Sequence, residues 1–255
     1  MLRLENVSKN FGGIKAIDNV SFRVPQETIL GIIGPNGAGK TTLFNLISGV
    51  LKPCKGEIIL NGHQITKAPP YLRSRLGLSR TFQNISLYKE LSVLENVVIG
   101  ACTWTRPNLK NLFQFNNLTY KNLLKKAQML LELLNLSDKA NYFPEQLSYG
   151  HQRTVEIARS LMGKPKIILL DEPAAGLNNQ ESENLAQLLL FLKKNLKITL
   201  VIIEHDMDVI MNISDQILVL IEGQTLLQGS PQEVQKNPEV IKAYLGAENI
   251  FEDIP

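Results

Sequence analysis

The hydrophobic residues of the chain follow two different patterns. From residue 1 to about residue 30, apolar and polar side chains alternate, which predicts half-buried antiparallel strands. Further along, continuously apolar runs alternate with helical segments, which indicates a parallel sheet that is covered on both faces. These runs comprise residues 29–33, 167–170, 199–203 and 217–220.

Between about residues 84 and 160 the hydrophobic spacing is helical. Leucine and alanine recur three and four positions apart on one face, as in a helix that packs on the protein surface. The residues of this face are Leu123, Leu124, Ala127, Leu130, Leu131 and Leu134. Residues 105–111 combine a proline with polar side chains and predict a loop within this helical segment.

These patterns predict an α/β protein with a single domain that spans residues 1–255. We expect an antiparallel sheet and a mostly parallel core from about residues 1–83 and 161–255. A helical subdomain is expected at about residues 84–160.

Composition and charge exclude several classes of protein. The chain has 27 lysines and arginines against 24 acids, and this net charge of +3 is too small for a nucleic-acid-binding surface. It has no apolar signal region at its start and no run of roughly 20 apolar residues for a membrane span. Cys54 and Cys102 have no metal-ligand spacing, which suits a reducing compartment. We therefore expect a soluble cytosolic protein whose membrane role, if any, comes through a partner.

A glycine-rich segment follows the first continuous apolar run. Residues 34–41 fit G-x-x-x-x-G-K-[ST] between a predicted strand and a helical pattern, the context in which this motif binds nucleotide phosphates. Lys40 is expected to reach the β- and γ-phosphates, and the Thr41 hydroxyl to bind Mg²⁺. The candidate phosphate-binding residues are Gly34, Pro35, Asn36, Gly37, Ala38, Gly39, Lys40, Thr41 and Thr42.

Two acids end the apolar run 167–170. We expect Asp171 to hold Mg²⁺ through water and Glu172 to face the attacking water. Such a pair at a strand end suits metal-assisted phosphoryl transfer to water, so it favours an ATP-hydrolysing enzyme over a kinase.

Two further polar residues complete the candidate chemistry. Gln83 lies at the junction between the core and the helical segment, and His205 follows the run 199–203. A lone histidine beside a strand is more often structural than catalytic, so the case for His205 rests on the surrounding residues.

With these residues in this order, the chain resembles the ATP-binding-cassette superfamily over nearly its whole length. The matching segments are residues 34–42 (Walker A), Gln83 (Q-loop), 147–152 (signature), 170–172 (Walker B and catalytic glutamate), 175–178 (D-loop) and His205 (switch histidine). The resemblance implies a P-loop NTPase core of the RecA type that binds ATP and Mg²⁺. It also implies that Gln83 senses the γ-phosphate and contacts the metal, and that Phe11 stacks on adenine.

The same resemblance implies a working pair of subunits. In this superfamily two subunits pack head to tail, so that Ser148 and Gly150 of one face the γ-phosphate that the other binds. A serine hydroxyl and backbone N–H groups at a helix start are suitable donors to that anion. The second subunit is a copy of this chain or a paralogue.

Within the superfamily, several strings resemble the ATP-binding subunits of branched-chain (hydrophobic) amino acid importers. They include residues 80–84, 147–150, 172–178 and 203–207. Urea, short-amide, nucleoside and lipopolysaccharide transporters carry similar subunits and stay as alternatives for the cargo. His151 departs from the glutamine that is usual in the superfamily, and Asn178 from the aspartate that many members have.

The resemblance further implies a multi-spanning permease as partner, docked on residues 84–97 at the cytoplasmic face of the inner membrane. Leu87, Tyr88 and Leu91 are apolar residues in this segment, and they either meet the permease or cover the helical core. Two other functions have less support than transport. An ATPase that acts on nucleic acid or ribosomes lacks support from the charge, and a regulatory module with little turnover conflicts with the complete set of Lys40, Ser148, Glu172 and His205.

Overall fold

The computed structural model describes residues 1–103 and 118–245. In chain order its elements are β1 (Leu2–Phe11), β2 (Ile14–Val24), β3 (Ile29–Ile33), α1 (Lys40–Ser48), β4 (Lys55–Leu60), β5 (His63–Gln64), α2 (Pro70–Arg75), β6 (Leu78–Arg80), α3 (Val93–Ile99), α4 (Leu118–Leu133), α5 (Tyr149–Met162), β7 (Ile167–Asp171), α6 (Asn179–Leu196), β8 (Thr199–Ile203), α7 (Met207–Ile213), β9 (Gln216–Ile221), β10 (Gln224–Gly229), α8 (Pro231–Gln235) and α9 (Pro238–Leu245).

An antiparallel sheet of four strands has the order β2-β1-β4-β5. Its alternation follows the sequence pattern, because the apolar members of β1 and β2 are buried while the residues between them are more exposed. The prediction of antiparallel strands in the first thirty residues is confirmed. The buried members are Leu2, Leu4, Val7, Ile17, Val20, Phe22 and Val24.

A second sheet of six strands has the order β10-β9-β3-β8-β7-β6. All pairs are parallel except the hairpin β9–β10, and every residue of β3, β7 and β8 is buried. Alternate residues of β3 belong to different cores, with Ile29 and Ile33 on one face and Leu30 and Ile32 on the other. The predicted α/β fold with a mostly parallel core sheet is confirmed.

Several short elements were not predicted from the sequence, among them β4, β5, α2, β6 and β10. β6 has only three residues, and it joins the sheet through parallel pairing with β7, more than eighty positions away. Such segments carry too few periodic positions for a sequence pattern, and their partner strands decide their conformation.

Helices α3, α4 and α5 lie between β6 and β7 in the chain. The predicted face of α4 packs inward, with Ala127 and Leu131 fully buried and Leu134 following them into the same core. α5 ends at Met162, two residues beyond the predicted limit of the helical segment. The predicted loop at 105–111 lies outside the described residues, and the division into subdomains stays a prediction. No helix within 1–103 or 118–245 is both long and apolar enough to cross a bilayer.

Arg73 of α2 is fully buried and caps the C-terminal end of α1. Its Nη1 donates to the carbonyls of Leu46 and Ile47 at 2.6 and 2.7 Å. Carbonyls in the last turn of a helix lack intrahelical partners and carry the negative end of the helix dipole, so a guanidinium is a favourable partner there. The same side chain donates to the carbonyls of Ala68 and Thr66, and burial lowers its pKa to about 10.

We predict that Arg73→Met lowers the free energy of unfolding by about 3 kcal/mol, because two buried and two partly buried carbonyls lose a charged donor. Denaturant unfolding measures this directly. Arg75→Met is the matched control, since Arg75 lies on the same helix but is exposed, and we expect a change below about 0.5 kcal/mol. Equal stability of the two variants would contradict the capping role.

Candidate active site

The loop between β3 and α1 wraps around the side chain of Lys40. This side chain is nearly buried, and its Nζ donates to the carbonyls of Gly34 at 2.6 Å and Pro35 at 3.0 Å. α1 begins at Lys40, so the unpaired N–H groups of its first turn face the loop. A loop of this kind presents backbone donors and a helix dipole to an anion.

Two segments outside this loop fix the conformation of its backbone. Gly39 has φ +100°, and a Cβ on it would lie 2.5 Å from the carbonyl oxygen of Ala16, which no side chain permits. On the other side, the N–H of Gly223 in the β9–β10 turn donates to the carbonyl of Ala38 at 3.0 Å. The shape of the loop therefore depends on β2 and on the β9–β10 turn.

A cleft of about 370 Å³ opens over the loop. Residues 36–42 line it together with Glu172, His205 and residues 14–16 of the first hairpin. Phe11 is not among its lining residues. It lies half exposed at the end of β1, with the Lys9 ammonium 5.2 Å from its ring centroid, so its predicted contact with adenine stays a prediction.

Glu172 lies between two of the predicted site residues. Its Oε2 accepts from Nε2 of Gln83 at 2.7 Å, and its Oε1 is 3.0 Å from Nε2 of His205. Glu172 also has φ +46°, a left-handed conformation that costs a residue with a side chain about 1–2 kcal/mol. Three segments distant in sequence thus bring their polar side chains together at the edge of the cleft.

Asp171 is buried one residue earlier, at the end of β7. Its Oδ2 accepts from Nη2 of Arg80 at 2.9 Å. Burial raises the pKa of Asp171, and the Arg80 guanidinium opposes that rise. Burial likewise lowers the pKa of Lys40, against the pull of Glu172 and Asp171. In this poorly hydrated site, nearby opposite charges therefore stabilise the charged form of each group.

Glu204 connects the two strand ends that carry Glu172 and His205. It is 4% exposed, and its two oxygens accept from the backbone N–H groups of Ala174 at 2.6 Å and His205 at 3.1 Å. Burial raises the pKa of this carboxyl, and the backbone donors counteract the rise. Glu204 stands directly beside His205 in the sequence, but nothing in its spacing predicts this contact.

The signature residues lie in a different cleft of about 640 Å³. Ser148 caps the start of α5, and its hydroxyl donates to Oε1 of Glu181 at 3.0 Å. The same oxygen accepts from the N–H of Gly150 at 3.3 Å, and the Ser148 hydroxyl is the first cause of a lowered pKa at Glu181. A carboxylate of the chain itself therefore occupies the donors that were predicted to meet a phosphate. Asn178 caps α6 through the N–H of Glu181.

Two arginines of α5 hold the segment around Gln83. Arg153 is fully buried and donates to the carbonyls of Phe82 at 3.0 Å and Gln83 at 2.8 Å. Arg159 donates to the carbonyl of Ser86 at 2.6 Å. Sequence reasoning missed both residues, because a helical arginine gives no sign of which distant carbonyl it will meet.

The sequence of the chain matches known protein families. The model of the ABC transporter family matches residues 17–175, which is more than half of the chain. The chain belongs to the ABC transporter family. A model described as the branched-chain amino acid ATP-binding cassette transporter matches residues 224–249. The family predicted from the motifs is confirmed, and with it ATP binding and hydrolysis as the activity class.

Known relatives match this ABC ATPase over nearly their full length. It is 40% identical over 250 residues to the high-affinity branched-chain amino acid transport ATP-binding protein BraF of Pseudomonas aeruginosa, covering 96% of this chain and 98% of that protein. It is 38% identical over 249 residues, with the same two coverages, to LivG of Escherichia coli, a protein of the same description.

Solved structures agree with the fold. The ADP conformation of an ATP-binding cassette of an ABC transporter matches with a TM-score of 0.86 and 37% identity, over 96% of this chain and 98% of that one. A nucleotide-free ATP-binding cassette matches with a TM-score of 0.85 and 36% identity, over the same shares of the two chains. The predicted P-loop NTPase architecture is confirmed, while the roles of individual site residues stay predictions.

We predict that Glu204→Gln lowers ATP turnover by about tenfold and leaves nucleotide affinity unchanged. The amide places an N–H₂ donor against one of the two backbone donors, so a buried hydrogen bond is lost where Ala174 and His205 are positioned. Steady-state ATPase assays and equilibrium nucleotide binding measure the two effects. Glu57→Gln, an exposed carboxylate on β4, is the control, and full turnover in Glu204→Gln would contradict the prediction.

Proposed function

We propose that this ABC ATPase drives import of branched-chain amino acids through a separate membrane permease and works as a head-to-tail pair. One observation carries the proposal. The phosphate loop with Glu172 and the signature turn with Ser148 line two separate clefts of the chain. A second subunit would bring one cleft against the other and complete two ATP sites.

The cargo is carried over from the relatives. Proteins that are 38–40% identical over nearly their full length are described as branched-chain amino acid transport ATP-binding proteins. The match at residues 224–249 supports the same cargo, because that family model carries branched-chain amino acids in its description.

In the proposed reaction, Glu172 orients the attacking water and accepts its proton. Both of its oxygens have partners in the chain, Gln83 on one and His205 on the other. If Gln83 turns toward the bound nucleotide, Oε2 of Glu172 becomes available to water. ATP binding would in this way allow Glu172 to act as the base. His205 keeps the other oxygen in place.

The residues at this site fit the Mg²⁺ of Mg-ATP. Thr41 provides a hydroxyl at the start of α1, and Asp171 provides a carboxylate at the end of β7, both of them hard oxygen donors. Within the described chain, Oδ1 of Asp171 makes no hydrogen bond to protein, whereas Oδ2 is held by Arg80. When bound, the metal supplies charge neutralisation at the phosphates.

Pairing of subunits requires a change at the signature turn. The hydroxyl of Ser148 and the N–H of Gly150 now meet Glu181, and the γ-phosphate of a partner's ATP needs the same donors. The phosphate therefore has to displace this carboxylate. The contact is exposed to solvent, so its loss costs little energy.

A third cleft suits the permease. It measures about 270 Å³ and lies between the end of β6 and α5, with Phe82, Tyr88 and Arg159 among its lining residues. Tyr88 is 53% exposed, while Leu87 packs against the helical core. Of the predicted docking segment 84–97, the part from Val93 onward forms α3, and much of it is buried. Docking therefore rests on residues 84–92, which would hold the ATPase at the cytoplasmic face of the inner membrane.

We predict that Glu172→Gln lowers ATP turnover at least about 100-fold, because a neutral amide cannot accept the proton of water. The same variant should form an ATP-dependent dimer in size-exclusion runs with Mg-ATP, since binding is kept while hydrolysis stops. Glu27→Gln, an exposed carboxylate in a turn, serves as the control. Turnover near the wild-type rate would exclude Glu172 as the base.

Wild-type activity per subunit should fall on dilution if the pair of subunits is required. An inactive and monomeric wild type, even at high concentration with ATP, would point to a paralogue or the permease as the missing half. Reconstitution with its permease and a panel of leucine, urea and nucleosides would then test the cargo.

We predict that Tyr88→Ala keeps ATP binding but lowers permease-coupled transport by about tenfold or more, because it removes an exposed anchor from the docking cleft. The backbone should stay in place, since the buried Asn96 side chain bonds to the N–H and the carbonyl of Tyr88 at 2.9 and 3.0 Å. Transport into proteoliposomes and nucleotide binding are the two measurements. Tyr71→Ala, an exposed tyrosine outside the cleft, is the matched control. Loss of ATP binding in Tyr88→Ala would instead indicate a packing role.

A further inference from the structure

Arg80 is a buried arginine whose contacts join three parts of the nucleotide site. It is the last residue of β6, and its side chain is only 7% exposed. Nη2 donates to Asp171 Oδ2 at 2.9 Å, and Nη1 donates to Asn45 Oδ1 at 2.7 Å and to Ser48 Oγ at 3.0 Å. One planar guanidinium therefore spans from the end of β7 to α1.

The α1 contacts of Arg80 lie on the helix face that begins with Thr41. Residues four and seven positions further along a helix return to the same face, so Thr41, Asn45 and Ser48 form one row. Arg80 thus bonds to α1 one and two turns after Thr41, whose hydroxyl is proposed to bind Mg²⁺. The distance between that hydroxyl and β7 therefore depends on the hydrogen bonds of Arg80.

The same guanidinium determines which oxygen of Asp171 is available. Oδ2 is engaged with Arg80, and Oδ1 makes no hydrogen bond in the described part of the protein. An ion pair at one oxygen holds the carboxylate in one orientation and leaves the other oxygen available to a ligand.

Arg80 also lies against the segment that leads to Gln83. Its guanidinium carbon is 5.1 Å from the ring centroid of Phe82 and 5.6 Å from that of Phe44 on α1. A planar cation can stack on aromatic rings and bond in its own plane at once, which an ammonium cannot do.

We propose that Arg80 is a positioning residue for the metal site, one that sets the spacing between Thr41 and Asp171 so that Mg²⁺ of Mg-ATP is held by both. This inference rests on the proposed nucleotide chemistry. It assigns Arg80 no contact with substrate, because its two terminal nitrogens donate to Asp171, Asn45 and Ser48, and its Nε is buried without a hydrogen-bond partner in the described chain.

The test measures equilibrium binding of a non-hydrolysable ATP analogue, with free Mg²⁺ titrated from an EDTA-buffered start. For Arg80→Gln we expect the half-saturating Mg²⁺ concentration to rise about tenfold, as is typical when an outer-shell partner of a metal ligand is lost. Binding of the analogue in EDTA should stay within twofold of wild type. Arg80→Lys keeps the charge but not the planar fork, so its half-saturating Mg²⁺ concentration should lie between those of wild type and Arg80→Gln.

Arg73→Gln is the matched control. Arg73 is equally buried and also contacts α1, but it meets only backbone carbonyls at the far end of the helix. The Arg73→Gln substitution should lower thermal stability without changing the half-saturating Mg²⁺ concentration. If Arg80→Gln does not fold, Asn45→Ala removes one anchor while the ion pair remains, and it should shift the Mg²⁺ half-saturation in the same direction.

Three outcomes separate the ideas. A wild type that binds no Mg-nucleotide contradicts the proposed function itself. A wild type that binds, with unchanged or lower Mg²⁺ half-saturation in both Arg80→Gln and Asn45→Ala, overturns the positioning role alone. Equal loss of affinity with EDTA and with Mg²⁺ shows that Arg80 only stabilises the fold.

Discussion

The parallel pairing of β3, β8 and β7 in one register is the constraint on which the site depends. Ile32 pairs with Ile203, and Ile203 pairs with Asp171, so three strands end at the same level. The loop after β3, the acids at the end of β7 and the histidine after β8 must therefore meet at one edge. A slip of one residue would turn Asp171 toward the opposite face of the sheet. These strands are almost wholly apolar until they end and are buried along their length, so burial and register are enforced together.

Charges at this edge are arranged by the protein's own contacts. Burial opposes the charged form of both Lys40 and Asp171, and each is compensated by opposite charge nearby. The orientation of these groups is already set by protein contacts, as the Lys40 ammonium shows by lying against two loop carbonyls. Polar groups that are fixed in this way need little reorganisation when charge develops on a phosphate. The strained backbone of Glu172 belongs to the same arrangement, since its conformation is held by Ile203 and by the partners of its side chain.

Helix α5 joins the signature turn to the segment that carries Gln83. Its first turn is capped by Ser148, and its Arg153 and Arg159 hold the carbonyls of Phe82, Gln83 and Ser86. A rigid helix transmits a displacement at one end to whatever is bonded along its length. The surfaces proposed for a partner subunit, at the signature turn, and for a permease, near Tyr88, are thus joined through a single element, and a contiguous element of this kind can carry coupling between sites.

The apolar runs, the glycine loop and the Asp171–Glu172 pair could be predicted from the sequence, because each is a local pattern whose neighbours along the chain fix its meaning. The contacts that shape the site were decided by tertiary structure, since their partners lie 91 positions apart for Arg80 and Asp171 and 33 apart for Ser148 and Glu181. The same holds for β6, which is too short to show a period and becomes a strand only beside β7. Arg73, Arg153 and Glu204 look like ordinary charged residues in the sequence. Only packing of the surrounding elements removes water from them and leaves a backbone group as partner.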